Sequence, residues 1–136
     1  MKPLDSLAKR DLLAAAKFDA EEVRQYAREF LEQEHYGEAF EFFWKIRDDE
    51  GIAAVKSAVV RLGDPEVLWR IEHLKPEAVS EEDWGNCARS AMQLEKFRSA
   101  AYAFGRAGDE AGKAEAEKAF SLPSSPQGPS AAPRPA

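Results

Sequence analysis

A chain of 136 residues with a formal charge of −6, 44% hydrophobic and 32% charged, has the composition of an ordinary soluble globular domain with one modest core. No apolar run approaches the ~18 to 20 residues of a membrane span, Met1 to Ser6 lacks the pattern of a secretory signal, and the acidic balance disfavours a nucleic-acid backbone as ligand. Cys87, the only cysteine, excludes an intrachain disulfide and a multi-thiolate metal site; it reads as a small buried hydrophobe, and the chain as a cytoplasmic protein.

Helical periodicity between glycines and prolines predicts helices over about 4–17, 20–34, 36–47, 50–62, 65–74, 81–94, 96–107 and 109–120, with no strands. The first carries Leu4, Leu7, Leu12, Leu13 and Phe18. Asp19 with Glu22, and Ser80 with Asp83, place an N-cap acceptor and an acidic residue three positions on at two of the starts. Asp64-Pro65-Glu66 opens another helix, because proline at the first helical position loses no needed hydrogen bond. Gly63 and Gly108 suit left-handed helix ends. From Leu122 onward, Pro123, Pro126, Pro129, Pro133 and Pro135 stand among small polar residues, so 1–121 reads as the folded domain and 122–136 as a disordered tail. The two Pro-x-x-Pro patterns in that tail read as spacer.

The chain also repeats itself. Glu21 to Gly51 overlies Glu82 to Gly112, with identical pairs at Glu21/Glu82, Ala27/Ala88, Arg28/Arg89, Glu34/Glu95, Ala39/Ala100, Phe43/Phe104, Asp48/Asp109 and Gly51/Gly112. Such a repeated helical unit implies an extended surface in place of a chemical pocket. The order Trp84, Ala88, Phe97, Ala100, Phe104, Ala107 resembles the tetratricopeptide signature, and Val23, Ala27, Phe30, Tyr36, Ala39, Phe43 and Ile46 follow it in the first unit, departing at Val23 and Ile46. The stretch from 49 to 80 is a degenerate middle repeat, in which Trp69 and Glu72 break the pattern. The resemblance implies an all-α, antiparallel helix-hairpin solenoid of about three units, with a leading helix and a trailing one (Ala111, Ala114, Ala116, Phe120) as covers.

Carried onto this sequence, the ligand face of that family would hold Arg24, Arg28 and Leu31 in the first unit, Arg61 in the middle, and Arg89, Met92 and Gln93 in the third. Arginine grips carboxylates through a bidentate fork, so the implied partner is a protein or peptide bearing acidic groups or a free carboxyl terminus. The bland alternative pairs Arg28 with Glu32 and Arg24 with Glu21 along the same helix.

No catalytic or cofactor motif is present: His35 and His73 lack metal-ligand spacing, and Asp48-Asp49-Glu50 lies where a helix start favours negative charge. The sequence therefore reads as a non-enzymatic interaction module, without cofactor or metal. It is similar in outline to small secretion-type chaperones in size and charge. The alternative is a self-assembling structural subunit, favoured if Trp69 is exposed.

Overall fold

The computed structural model describes residues 4–121, which form eight α-helices and no strand. These are α1 (Ser6–Ala14), α2 (Ala20–Glu32), α3 (Tyr36–Lys45), α4 (Asp49–Arg61), α5 (Pro65–Leu74), α6 (Glu81–Gln93), α7 (Phe97–Arg106) and α8 (Glu110–Ser121), with a short 3-10 turn at Pro76–Ala78. The expectation of a disordered tail over 122–136 lies outside the described residues. No described helix is long and apolar enough to cross a membrane. The chain divides into two compact units: one runs to Val59 and includes Val67–Ala78, and the other joins Val60–Glu66 to the chain from Val79.

The two matched stretches of sequence build the same local structure. Helices α2 and α6 each have 13 residues, α3 and α7 each have 10, and a three-residue connection separates each pair. Both turns use one device. At the end of α2, Glu34 N–H donates to Leu31 O (3.0 Å) and His35 N–H to Phe30 O (2.8 Å); at the end of α6, Glu95 donates to Met92 O (3.0 Å) and Lys96 to Ala91 O (2.8 Å). This is a Schellman closure, which requires a left-handed residue after the cap. Glu34 (φ 65°) and Glu95 (φ 61°) supply it, at a cost a glycine would avoid. The segment between these pairs repeats the lengths, with 13 residues in α4 and 10 in α5, and there the left-handed residue is Gly63 (φ 64°). Gly63 is fixed for a second reason: a Cβ would lie 2.7 Å from the Ala91 backbone.

The N-terminal signals act as their chemistry dictates. Asp19 accepts from Glu21 N–H (3.0 Å), Asp64 accepts from Glu66 N–H (3.1 Å) with Pro65 in the first helical position, and Ser80 and Asp83 form a reciprocal capping box. Asp48 and Asp109 accept from Gly51 and Gly112 N–H at the starts of α4 and α8. Lysines satisfy carbonyls near the opposite ends: Lys45 Nζ donates to Leu13 O and Ala15 O (2.8 Å each), and Lys96 Nζ to Leu62 O (2.7 Å).

Packing follows the i, i+3, i+4 stripes. In the first unit Val23, Ala27 and Phe30 of α2 are buried, as are Ala39, Phe40, Phe42 and Phe43 of α3, with Ile52, Val55, Val59, Leu68 and Ile71 closing the core. In the second, Trp84, Cys87, Ala88 and Ala91 of α6 are buried, with Ala100, Ala103 and Phe104 of α7 and Ala116 of α8. The same positions are filled differently. Where the first unit has Val23, Phe30 and Phe42, the second has Trp84, Ala91 and Ala103, so one indole takes the place of two phenyl rings that meet edge to face at 5.2 Å.

One close approach recurs. A Cβ on Gly51 would stand 2.1 Å from the Phe43 ring, and one on Gly112 would stand 2.6 Å from the Phe104 ring. The shared Phe and Gly of the two stretches are thus a packing pair.

Two expectations need correction. The first helix ends at Ala14 instead of about 17, because Ala15 is extended (ψ 133°) and its carbonyl, with that of Leu13, is taken by Lys45. Nor is any residue of α1 fully buried: Leu12 and Leu13 are half-buried and Leu7 is 57% exposed, while Phe18, beyond the helix, is 40% exposed. Its polar contacts include the Lys9–Glu38 ion pair (3.3 Å) and the hydrogen bonds from Lys45. In the trailing helix only Ala116 is buried, while Phe120 is half exposed with the Arg98 guanidinium over its ring.

Candidate functional site

Helix α2 presents Arg24, Arg28 and Leu31 at i, i+4 and i+7, one stripe beside the buried stripe of Val23, Ala27 and Phe30. Arg24 is engaged in ion pairs with Glu21 and Asp48. Its Nη1 donates to Glu21 Oε1 (2.7 Å) and its Nε to Asp48 Oδ2 (3.1 Å), and the Asp48 and Glu21 hydrogen bonds raise its pKa. Asp48 in turn caps α4 through Gly51 N–H. Burial pushes the Asp48 carboxyl up, but the Gly51 N–H, Arg24 and the nearby Arg28 outweigh it and hold the group below its ordinary value. Arg24 is therefore a strut between α2 and the start of α4. The same-helix pairing of Arg24 with Glu21 occurs; that of Arg28 with Glu32 does not, and Arg28 stands exposed with no ion-pair partner among the described residues. Leu31 is half-buried.

Helix α6 carries Arg89, Met92 and Gln93 at i, i+3 and i+4. Arg89 is exposed, its guanidinium about 3.5 Å from where a Gly85 side chain would begin, and its Nη2 donates to Asn86 Oδ1 (2.6 Å). That bond uses one edge of a neutral acceptor and leaves the charge uncompensated. Met92 is half-buried and Gln93 exposed. Arg61 is exposed in the last turn of α4, within the second unit. The candidates thus fall into two clusters, Arg24, Arg28 and Leu31 in the first unit and Arg61, Arg89, Met92 and Gln93 in the second. Arg28 and Arg89 occupy the same position of equivalent helices.

Cys87 is fully buried, and burial pushes its thiol up to about 11, which leaves it unreactive. His35 is exposed at the turn after α2. Asp48 is a cap, and Asp49 lies 3.4 Å from Lys75. Among the described residues no group of three His, Cys, Asp or Glu could hold a metal ion.

The sequence reading missed one feature of the first unit, a cleft of about 620 Å³ lined by α1, α3 and α5. Its charged side chains are Lys9, Arg10, Glu38, Glu41 and Arg70. Contacts between residues this far apart leave no local pattern to read. Trp69 of α5 is 40% exposed and stacks on His73 at 4.9 Å, with Leu74 also exposed.

Comparison of the chain with protein-family models, with curated proteins and with solved structures finds no match.

Proposed function

We propose that the protein is a non-enzymatic interaction module of tetratricopeptide-like architecture, with α2, α4 and α6 as the first helices of three units, and that it binds an acidic peptide segment or partner subunit. One observation carries this reading: Arg28 and Arg89 stand exposed at matching positions of two helices that share length, turn geometry and buried stripe. The equal lengths of the α4 and α5 pair support the count of three. Leu31 and Met92, half-buried at equivalent positions one turn further on, offer apolar contact beside each arginine. This reading leaves Arg24 out of the ligand set, since it is hydrogen-bonded to Glu21 and Asp48. The reading assigns the module to the cytoplasm, where a lone thiol stays reduced.

The test is Arg28→Glu combined with Arg89→Glu. Capture of a native partner by the wild-type protein should be abolished in the double variant at unchanged helix content. Equal capture by both refutes the assignment.

Self-association is the second reading, and the exposed Trp69, Leu74 and stacked His73 favour it. Light scattering separates the two: a monomer supports the adaptor, and a dimer that persists on dilution and is lost in Trp69→Ala supports assembly.

A further inference from the structure

The cleft between α1 and the pair α3 and α5 has no part in the reading above. It lies wholly in the first unit, and its volume of about 620 Å³ falls in the range of small-ligand sites, about 300 to 1,000 Å³. Three cations and two carboxylates line it, a local excess of one positive charge on a chain of net charge −6.

The arrangement of these charges is specific. Lys9 is held by Glu38 at 3.3 Å, and Glu38 is kept below its ordinary pKa: burial raises it, but hydrogen bonds from its own backbone N–H and from Lys9 prevail. That pair is satisfied. Arg70 is not satisfied in the same way. Its guanidinium lies against Gly37, with Nη1, Nη2 and Cζ at 3.2, 3.3 and 3.5 Å from the point where a side chain would begin. A side chain at 37 would press on the guanidinium and shift it by a few tenths of an ångström. Glu41 stands 3.6 Å from Arg70 Nη1, too far for a hydrogen bond, and both side chains are more than a third exposed. Arg70 thus makes one long ion pair with Glu41 and no hydrogen bond to it. Arg10, on the α1 wall, has no ion-pair partner among the described residues. Leu13 and Ala14 supply an apolar margin beside these cations.

We propose that this cleft binds a peptide segment bearing one carboxylate flanked by apolar residues, with Arg70 as the bidentate donor and Arg10 as the second cation. A planar carboxylate matches the fork and displaces the loose Glu41 contact. Glu38 and Glu41 exclude densely anionic ligands, because each added negative charge meets one of theirs. Gly37 acts by giving Arg70 its resting place.

The probe is a fluorescein-labelled peptide, Ala-Leu-Glu-Leu-Ala with both ends blocked, and its control carries Gln for Glu. Fluorescence anisotropy on the full chain should show the Glu peptide binding at least tenfold more tightly than the Gln peptide. Arg70→Gln should weaken binding about tenfold, and Glu41→Gln should strengthen it severalfold by freeing the fork. Opposite signs at two adjacent surface residues would not arise from loss of fold, and circular dichroism checks both variants. Equal affinity for the Glu and Gln peptides, or a Glu41→Gln variant that binds less well, overturns the proposal. Inorganic phosphate that displaces the probe at concentrations where acetate does not would also overturn it, by making the site one for phosphate. Arg28→Glu with Arg89→Glu should leave this binding unchanged, so failure here and failure of the α2 and α6 reading are separable.

Discussion

Replacing Gly51 by alanine sets two effects of known size against each other. Within a helix, Ala is favoured over Gly by about 1 kcal/mol. Here the added methyl would stand 2.1 Å from Cδ1 of Phe43, where carbon atoms rest at about 3.5 to 4.0 Å. The ring must retreat by roughly 1.5 Å, yet Phe43 is only 2% exposed, and close-packed interiors leave little room for such a shift. Overpacking of this kind costs about 1 to 3 kcal/mol, and so short a contact belongs at the upper end. The net expectation for Gly51→Ala is a loss of about 1 to 2 kcal/mol in urea denaturation followed by circular dichroism. Gly112→Ala, at 2.6 Å from the Phe104 ring, should lose less. The decisive variant is Gly51→Ala made in a Phe43→Ala background. Phe43→Ala alone should cost about 3 to 5 kcal/mol; with the ring gone, Gly51→Ala should become stabilising by up to about 1 kcal/mol. If Gly51→Ala stabilises the wild-type protein, or has the same effect with and without the ring, the packing argument for the repeated Phe and Gly is wrong.

Glu34→Gly and Glu95→Gly should each raise the melting temperature, since relief of a left-handed residue, about 1 to 2 kcal/mol, exceeds the added chain entropy of glycine, about 0.5 to 1 kcal/mol; a fall in melting temperature contradicts the turn geometry. Asp48 is held below its ordinary value of 3.8, so its contribution is complete above the unfolded pKa and is lost as pH falls through the folded one. Asp48→Asn should therefore be less stable than wild type at neutral pH and lose less stability below about pH 4, and parallel pH profiles would exclude that role. Lys45→Met removes both hydrogen bonds at the end of α1 and should open residues 15–19 to limited proteolysis while α2 and α3 stay folded; an unchanged cleavage pattern would show that α1 is held by something else.

Local chemistry was legible in the sequence, and tertiary chemistry was not. The Asp19, Asp64 and Ser80 caps, Pro65 and the Val23, Ala27, Phe30 stripe act within a turn or two of themselves, so their helices could be placed from pattern alone. The helix ends at Glu34, Arg47 and Glu95 were read one or two residues too long, because neither Glu nor Arg advertises a left-handed backbone. The pattern carries α1 three residues too far at its C-terminal end, where Lys45, some thirty positions away, takes the carbonyls of Leu13 and Ala15. The site divides in the same way. The matching positions of Arg28 and Arg89 can be read in the sequence, whereas the hydrogen bond of Arg24 to Asp48 and the approach of Arg70 to Gly37 depend on contacts across 24 and 33 positions. Neither has a signature in any short window.

The central claim is that α2 and α6 are equivalent elements presenting one kind of surface to an acidic partner. Its most direct test is backbone amide chemical-shift mapping of the isotope-labelled chain titrated with a hexaglutamate peptide. The account predicts that Arg28 and Leu31 shift, that Arg89, Met92 and Gln93 shift as well, and that Arg28→Glu with Arg89→Glu removes both sets. Shifts confined to one helix, or absent from both at saturating peptide, would contradict it.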